Sequence, residues 1–359
     1  MSFKCGIVGL PNVGKSTLFN ALTKSKNAQA ANFPFCTIEP NIGVVTVPDE
    51  RLERLSNIAK SEKIIPTYIT FVDIAGLVAG ASKGEGLGNK FLANIREVDA
   101  VIHMLRCFDS SEIQNVNKTV DPIRDLETVE TEMMISDLES VEKRLSQKKN
   151  KNNELNKDIF EILEHVYESL KKGIRPDKLE EKFDKKLIKN LGILSTKPRI
   201  LVCNVDENSV SSGNNYSQKI KDKFKNDTVV IVSAEIEQQI TELQDSEANE
   251  FMKEIGINES GLDQIIKAGY KILNLCTYFT VGPKETHAWT IEKKCKAPDA
   301  AEVIHSDFKK GFIKAEVISY LDYIQYAGET GARDNGKLKI EGKDYEVADG
   351  DVLHFRFNT

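Results

Sequence analysis

A glycine-rich stretch near the start of the chain has the residue types and spacing that bind nucleotide phosphates. It reads Gly-Leu-Pro-Asn-Val-Gly-Lys-Ser-Thr over residues 9–17 and fits the pattern G-x-x-x-x-G-K-[ST]. In such a loop the backbone N–H groups point at the phosphates, and the lysine adds positive charge near the β and γ phosphates. The alternative is a glycine turn with a surface lysine. The predicted phosphate contacts come from Asn12, Val13, Gly14, Lys15, Ser16 and Thr17.

Further positions have the chemistry to hold Mg²⁺ and to sense the γ phosphate. Thr37 lies between the first predicted helix and the second predicted strand, and residues 73–76 form the pattern D-x-x-G at a strand end. A hydroxyl and a carboxylate suit Mg²⁺, and a glycine N–H can bond a γ phosphate oxygen. We expect Ser16 and Thr37 to hold Mg²⁺, Asp73 to hold it through water, and Lys15 and Gly76 to act on the γ phosphate. For Thr37 alone, the alternative is an ordinary loop hydroxyl.

Two residues bear on the rate of hydrolysis. Leu77 occupies the position where many GTPases carry a glutamine that orients the attacking water, and a leucine cannot orient water. Asn12 is a candidate ligand for a monovalent cation such as K⁺, which would add positive charge near the phosphates. Without such a cation, Asn12 is only a turn residue. We therefore expect slow hydrolysis.

The segment placed to read the base departs from the guanine-reading pattern N-K-x-D. Residues 204–207 read Asn-Val-Asp-Glu, so Glu207 is one methylene longer than the aspartate that accepts two N–H bonds from guanine. A misplaced carboxylate would leave the guanine donors poorly paired, at about 1 to 3 kcal/mol each. The sequence favours adenine, contacted by Asn204 and the Val205 backbone. A turn would close over the base, and it consists of Ser233, Ala234 and Glu235.

Apolar strand patterns lead into each of these positions. Residues 5–8 precede the phosphate loop, and apolar side chains recur at helical spacing after it. Continuous apolar strands that alternate with helices predict a parallel sheet covered on both faces. The predicted fold class is therefore α/β, with the functional residues at strand ends. The other strand-like runs cover 41–47, 67–73, 100–107, 199–203 and 228–232.

The remaining chain divides into a helical part and a β-rich part. Met134, Leu138, Val141 and Leu145 follow helical spacing, and similar patterns continue to about residue 190. This indicates a helical hairpin that is either a partner-binding arm or a solvated insertion. From residue 276 the chain has short β-rich segments. We expect a nucleotide-binding domain over 1–124 and 196–275, an inserted helical domain over 125–195, and a small α+β domain over 276–359.

The composition is that of a soluble globular protein, with 40% hydrophobic and 29% charged residues. The net charge of -6 argues against a surface that is basic throughout, although a local basic patch would be hidden in that sum. No apolar run reaches the ~18 to 20 residues of a membrane helix. No targeting segment precedes the first strand, and the cysteines form no C-x-x-C pair. We expect a cytoplasmic monomer with no membrane partner.

Several motifs together resemble the YchF or Obg-like ATPase family over essentially the whole chain. Besides the phosphate loop, they are Asn-Phe-Pro-Phe-Cys-Thr-Ile-Glu-Pro at 32–40, Asp-Ile-Ala-Gly-Leu-Val at 73–78, Gly-Ala-Ser-Lys-Gly-Glu-Gly-Leu-Gly-Asn at 80–89 and Arg-Cys-Phe at 106–108. The resemblance implies a Ras-like P-loop NTPase domain, interrupted by a helical coiled-coil domain and followed by a TGS domain, which is a β-grasp module. It also implies ATP binding and hydrolysis with GTP tolerated, and association with ribosomal RNA or ribosomal proteins.

One residue departs from that family. Its members usually carry a histidine in the loop after Arg-Cys-Phe, where it positions the hydrolytic water, and the matching residue here is Asn115. An asparagine amide can hydrogen-bond a water but cannot act as a base. The resemblance therefore assigns the catalytic position to Asn115 but predicts inefficient hydrolysis. The nearest other histidine, His103, lies in an apolar strand and is predicted to be a core residue.

The last domain carries lysines interleaved with aromatic residues, a pattern compatible with RNA contact. The alternative is that the aromatic residues belong to the domain core. Lysines of the helical arm offer another surface for the ribosome. The residues concerned in the last domain are Phe308, Lys309, Lys310, Phe312 and Lys314.

The predicted function is an ATP- and Mg²⁺-dependent switch that binds ribosomes and hydrolyses ATP slowly. A low-turnover GTPase of the same class is the first alternative. A small-molecule kinase would need an acceptor pocket with an arginine-rich lid, and the sequence offers Thr37 and D-x-x-G instead. A nucleotide-independent scaffold that binds ribosomes is the third alternative.

Overall fold

The structure is a computed structural model that describes residues 3–24, 42–74, 87–110, 119–149, 157–176 and 179–358. Its strands in chain order are β1 (Lys4–Val8), β2 (Ile42–Thr46), β3 (Lys63–Ile65), β4 (Tyr68–Asp73), β5 (Ala100–Arg106), β6 (Arg199–Asn204), β7 (Thr228–Val232), β8 (Leu275–Val281), β9 (Glu285–Glu292), β10 (Phe312–Ser319), β11 (Lys339–Glu341) and β12 (Asp351–Phe357). Its helices are α1 (Lys15–Lys24), α2 (Glu50–Ala59), α3 (Leu87–Glu97), α4 (Pro122–Lys149), α5 (Lys157–Lys171), α6 (Lys185–Leu191), α7 (Asn215–Lys223), α8 (Ala234–Glu242), α9 (Asp245–Glu254), α10 (Gly261–Ile272), α11 (Ala297–Ile304), α12 (Ser306–Lys310), α13 (Tyr320–Gln325) and α14 (Glu329–Asp334).

The first sheet carries the predicted nucleotide-binding residues. In the described residues its order is β2-β4-β1-β5-β6-β7, and every pair is parallel except β2 with β4. Every residue of β5 is buried, since helices cover both faces of the sheet. The carboxyl ends of the parallel strands therefore meet at one edge. The predicted α/β class is confirmed.

The helical region follows β5 and returns to the sheet before β6. Helices α4 and α5 pack around Val141, Ile162 and Val166. The buried carboxylate of Asp137 on α4 accepts hydrogen bonds from Leu194 N at 2.9 Å and from Ser195 N and Oγ at 2.7 Å each. These bonds fasten the root of the helical region to the chain that enters β6. The predicted helical region is thus present.

The second sheet combines the C-terminal strands with a strand from the first part of the chain. Its order in the described residues is β11-β10-β12-β8-β9-β3, and β3 pairs in parallel with β9. Helix α2 places Leu52 and Leu55 against Phe279 in the core on one face of this sheet. Helix α11 covers the other face. The sequence reading did not predict α2 or β3, and the limits of the domains remain predictions.

Polar contacts also hold α2 against the second sheet. Arg51 donates to Asp349 at 2.7 Å, and its guanidinium lies 5.2 Å from the centre of the Phe279 ring. Between α2 and β3, the Ser61 hydroxyl lies 2.7 Å from the Thr286 hydroxyl. Residues 49–65 are therefore bound to the second sheet by both apolar and polar contacts.

The first sheet carries buried thiols and the histidine that was predicted to lie in the core. Cys5, Cys107 and Cys203 are buried free thiols in strands or directly beside them. His103 is buried within β5, and burial lowers its pKa to about 4, which makes it a neutral core histidine. Of the helices that the structure describes, none combines the length and the apolar character needed to cross a bilayer.

Candidate functional site

The phosphate loop joins β1 to α1, and its lysine is the first residue of the helix. Lys15 Nζ donates to the carbonyl oxygens of Gly9 at 3.0 Å and Leu10 at 2.7 Å. A lysine ammonium has three donors, so one remains available for a phosphate oxygen. The side chain is only 8% exposed, and this burial lowers the pKa of Lys15 to about 8, against the opposing effect of Asp73.

The loop requires glycine at its last turn. Gly14 has a φ of +97°, and a Cβ built there would lie 2.4 Å from Nδ2 of Asn204. Both the backbone conformation and the space exclude a larger residue. Asn12 also adopts a left-handed conformation with a φ of 62°, which asparagine tolerates better than most residues. The loop is therefore packed directly against the end of β6.

The Asn204 side chain connects two segments at that edge of the sheet. Its Nδ2 donates to the Val13 carbonyl at 2.9 Å, and its Oδ1 accepts from Ala234 N at 3.0 Å. The side chain is buried, and the Val205 N–H donates to the Val232 carbonyl at 2.8 Å. These bonds make Asn204 a brace between the phosphate loop and the turn that begins α8, in addition to its predicted contact with the base.

The carboxylate of Asp73 suits a metal ion. It ends β4 beside Lys15 and hydrogen-bonds the Ser16 side chain. Burial raises the pKa of Asp73, while Lys15 and Ser16 oppose that rise. Within the described part of the chain, its Oδ1 is shielded from solvent and has no hydrogen-bond partner. An unsatisfied carboxylate oxygen beside a serine hydroxyl is a donor set that fits Mg²⁺.

A cavity of about 500 Å³ extends from the phosphate loop past the ends of β5, β6 and β7. This volume lies in the range of small-molecule sites. It brings together the predicted base-reading residues with parts of the loop, and it adds the segment after β5. Its lining consists of Asn12, Gly14, Thr17, Phe108, Asp109, Ser110, Asn204, Val205, Asp206, Glu207, Asn208, Ser233, Ala234 and Glu235.

Glu207 stands at the base end of the cavity. One of its oxygens accepts a hydrogen bond from Gln239 Nε2 at 3.0 Å. This bond orients the Glu207 carboxylate toward α8 without using all of its acceptor sites. Ser233, Ala234 and Glu235 at the start of α8 also line the cavity, where Ser233 and Ala234 are buried and Glu235 is exposed.

The segment after β5 is a part of the site that the residue-by-residue reasoning missed. The side chain of Arg106 donates to the Phe108 carbonyl at 3.1 Å, and its guanidinium lies 4.7 Å from the centre of the Phe108 ring. Cys107 N donates to the Asn204 carbonyl at 2.8 Å. A signal was available, because residues that follow a central parallel strand lie at the ligand-binding edge of such a sheet.

Several predicted positions lie outside the described residues. They are Thr37 for Mg²⁺, Gly76 for the γ phosphate, Leu77, and Asn115 at the position of the family histidine. Every other predicted site residue is placed at the phosphate loop, at Asp73 or along the cavity.

Two sequence families match separate parts of the chain. Residues 4–135 match a family described as 50S ribosome-binding GTPase. Residues 275–358 match the family labelled YchF-GTPase_C, described as a protein of unknown function. The first match contains the phosphate loop, and the second contains the strands β8 to β12.

Relatives match the chain from end to end. The chain is 52% identical over 365 residues to a protein of Haemophilus ducreyi and 49% identical over 369 residues to one of Bacillus subtilis. Each relative is named ribosome-binding ATPase YchF, and each alignment covers 100% of both chains. The solved structure of the Schizosaccharomyces pombe YchF GTPase is 39% identical, with a TM-score of 0.85 over 99% of this chain and 98% of that one. The chain belongs to the YchF family.

Proposed function

We propose that this chain is a ribosome-associated ATPase that binds ATP with Mg²⁺, hydrolyses it slowly and acts as a nucleotide-dependent switch. The observation that carries the proposal is the cavity that leads from the phosphate loop, at Asn12, Gly14 and Thr17, to Asn204 and Glu207. The phosphate loop, which also carries Lys15, offers contacts for phosphates at one end, and the other end offers space for a base. The names of the full-length relatives agree with this reading.

Lys15, Ser16 and Asp73 would make the contacts with the phosphates and Mg²⁺. Lys15 would use its remaining N–H for a phosphate oxygen while the loop carbonyls hold the ammonium in place. Ser16 and Asp73 would hold Mg²⁺, with Thr37 as a further ligand. Bound Mg²⁺ would neutralise charge that develops on the phosphates. A K⁺ ion held by Asn12 is a separate part of the proposal.

At the base end, the proposal favours adenine. Glu207 is one methylene longer than the aspartate of the guanine-reading pattern, and the bond from Gln239 orients its carboxylate toward α8. Phe108 offers an aromatic face at the cavity, and such a face stacks on any base. Contacts from Asn204 and the Val205 backbone would complete the base site.

Ribosome binding is proposed from the relatives and not from a surface of this chain. In the last part of the chain, fewer of the lysines and aromatic residues are available for RNA contact than the sequence predicted. Lys309 pairs with Asp299 and Glu302, which offsets its charge. Phe312 is buried in the core beside the second sheet, so this ring is not a base contact. A cytoplasmic location and a monomeric state remain predictions.

Calorimetric competition between ATP and GTP tests the choice of nucleotide. We expect ATP with Mg²⁺ to bind the parent chain and GTP to bind more weakly. Lys15→Ala should abolish both, because the phosphates lose their only predicted lysine contact. GTP binding that is tenfold tighter than ATP binding would favour the GTPase alternative. Ribosome co-sedimentation that Lys15→Ala leaves unchanged under all nucleotide conditions would favour the scaffold.

Steady-state hydrolysis tests the catalytic position. ATP turnover should be slow in the parent chain, with and without ribosomes and K⁺, and Asn115→His should increase it because imidazole can act as a base. Phosphate release without a small-molecule acceptor would exclude the kinase alternative. A histidine variant no faster than the parent would show that residue 115 does not limit hydrolysis.

A further inference from the structure

One wall of the cavity is formed by the chain that follows β5. This wall segment comprises residues 107–110, and Phe108, Asp109 and Ser110 line the cavity. It follows the last residue of β5 and lacks regular secondary structure. A chain without a repeating ladder keeps its shape only through individual contacts, and a loose wall would have to be ordered each time a ligand binds.

Side chains from the start of α7 supply two of those contacts. Asn214 Nδ2 donates to the Cys107 carbonyl at 2.6 Å, and the Tyr216 hydroxyl donates to Asp109 Oδ2 at 2.9 Å. Between them, the Arg106 side chain donates to the Phe108 carbonyl. Three successive residues of the wall segment are thus each held by a side chain.

Asn214 itself is fixed by the helix that it caps. Its Oδ1 accepts from Tyr216 N at 3.0 Å and Ser217 N at 3.1 Å, while Ser217 Oγ accepts from Asn214 N at 2.9 Å. This capping box leaves the amide nitrogen of Asn214 to point at the wall segment. A single asparagine therefore joins the helix terminus to the cavity wall.

Neither Asn214 nor Tyr216 lines the cavity, so both must act through the wall. The hydrogen bond from Tyr216 also raises the pKa of its hydroxyl, since the carboxylate of Asp109 favours the protonated phenol. The pair therefore stays intact at neutral pH and well above it.

We propose that Asn214 and Tyr216 are positioning residues for nucleotide binding, which hold the wall segment in place at the base end of the cavity. This inference rests on the proposed function, because it assumes that the cavity takes a nucleotide whose base lies beside Phe108. It extends the site to residues at the start of α7, which do not line the cavity but hold its wall segment.

Two variants test the contacts separately. Tyr216→Phe removes the hydroxyl and keeps the ring. Asn214→Asp keeps an oxygen to cap α7 but removes the amide donor to Cys107. Each should weaken ATP binding about threefold to tenfold, the effect of one lost hydrogen bond. Binding of inorganic tripolyphosphate, which reaches only the phosphate loop, should change by less than about twofold, because its site does not include the wall.

The control is a second tyrosine–aspartate pair far along the chain. Tyr345 donates to Asp351 at 2.7 Å beside the second sheet, so Tyr345→Phe removes the same kind of bond. It should leave both affinities unchanged. In an Asp109→Ala background, Tyr216→Phe should have no further effect on ATP binding, because its partner is already gone.

The outcomes separate this inference from the function on which it rests. Unchanged ATP affinity in both variants, or equal losses for ATP and tripolyphosphate, would overturn the positioning role while leaving the ATPase proposal intact. A parent chain that binds tripolyphosphate but neither ATP nor GTP would overturn the proposed function itself. Calorimetry on the full chain measures all of these affinities.

Discussion

The ammonium group of Lys15 sits where a positive charge is costly to keep in the absence of a ligand. Burial lowers its pKa to about 8, and only Asp73 among the named charges favours the protonated form. A bound phosphate would favour that form strongly. Nucleotide binding should therefore take up a proton once the pH exceeds the pKa of the free protein.

The first prediction is that ATP affinity falls as the pH rises above 8. The free lysine loses its proton there, whereas the complex needs it, so the loss should approach about tenfold per pH unit. Calorimetric titrations between pH 7 and 9.5 measure this slope. Lys15→Arg, whose guanidinium stays charged throughout, should show no slope in this window. A flat profile for the parent chain would contradict the role of burial.

The second prediction concerns Asp73, whose Oδ1 has no partner among the described residues. Asp73→Asn removes the negative charge but keeps the shape. Binding of ATP with Mg²⁺ should weaken by about tenfold or more, the typical scale for a lost charged contact, while binding in the presence of a chelator stays the same. Asp344→Asn, at a side chain that is 94% exposed, serves as the control. Equal losses with and without Mg²⁺ would exclude Asp73 from the metal site.

The sequence predicted those residues of the site that local pattern determines. Lys15 and Ser16 follow from the loop pattern, and Asp73 joins them because parallel strands end at the same edge of the sheet. Asn214, Tyr216 and Gln239 could not be found in this way. Their contacts depend on where α7 and α8 begin and on how these helices pack against the sheet, which local pattern does not determine.

At the scale of elements, helix α2 packs against a sheet whose strands, apart from β3, lie far along the chain. Leu55 is completely buried and packs in the core that contains Phe279, Ala288 and Val352. Asp49 caps the helix by accepting from Arg51 N at 3.0 Å. The apolar stripe of α2 faces the second sheet and not the first.

The third prediction is that Leu55→Ala lowers the free energy of unfolding by about 2 to 5 kcal/mol, because it leaves a cavity in that core. Arg54→Ala, on the same helix with a side chain that is 64% exposed, should change it by less than about 0.5 kcal/mol. Chemical denaturation of both variants measures the difference. A Leu55→Ala variant as stable as the parent would show that α2 does not support the second sheet.

The fourth prediction concerns Glu237 on α8. Its buried carboxylate accepts from Gly261 N at 2.7 Å and Leu262 N at 3.1 Å at the start of α10. Burial raises its pKa from 4.5 to about 7, although these two bonds oppose the rise. The folded chain then holds a proton that the unfolded chain releases, so the contribution of this group to stability falls as the pH rises from 4.5 to 7.

Glu237→Gln removes that titration. Its thermal unfolding midpoint relative to the parent should therefore rise as the pH goes from 5 to 7.5. Glu242→Gln, at an exposed position of the same helix, should show no such trend. A difference between parent and Glu237→Gln that does not vary with pH would mean that Glu237 is ionised in both states.

The sequence predicted the parallel strands of the first sheet but not β3, and the reason is physical. The parallel strands of the first sheet are buried on both faces, so they read as continuous apolar runs, and β5 is the clearest of them. β3 has only three residues, and its partner β9 lies in the C-terminal part of the chain. A strand that short carries no periodicity, and its pairing depends on an element that local pattern cannot reveal.

At the scale of the whole molecule, the two sheets share one stretch of chain. The segment that leaves β2 and returns as β4 passes through α2 and β3, which belong to the core and the edge of the second sheet. Both flanking strands belong to the first sheet, and β4 ends at Asp73. The connection between two strands of the first sheet therefore supplies the helix and the edge strand that complete the second sheet.

The fifth prediction follows from this shared segment. A fragment of residues 275–358 lacks β3 and exposes the face of the sheet that α2 covers, including Phe279, so it should not give a cooperative unfolding transition. Addition of a peptide spanning residues 48–66 should restore ordered structure, measured by circular dichroism. A fragment that folds alone would show that the C-terminal strands do not require α2 and β3.

The packing of α2 against the second sheet also sets an order of events during protein synthesis. Leu52 and Leu55 leave the ribosome early, but Phe279 and Val352 are made only near the end of the chain. Until then the apolar stripe of α2 has no native partner, and the strands on either side of it are tethered to an unfinished segment. A nascent chain that already contains the whole phosphate loop is thus an incomplete product, exposed to chaperones and proteases until translation ends.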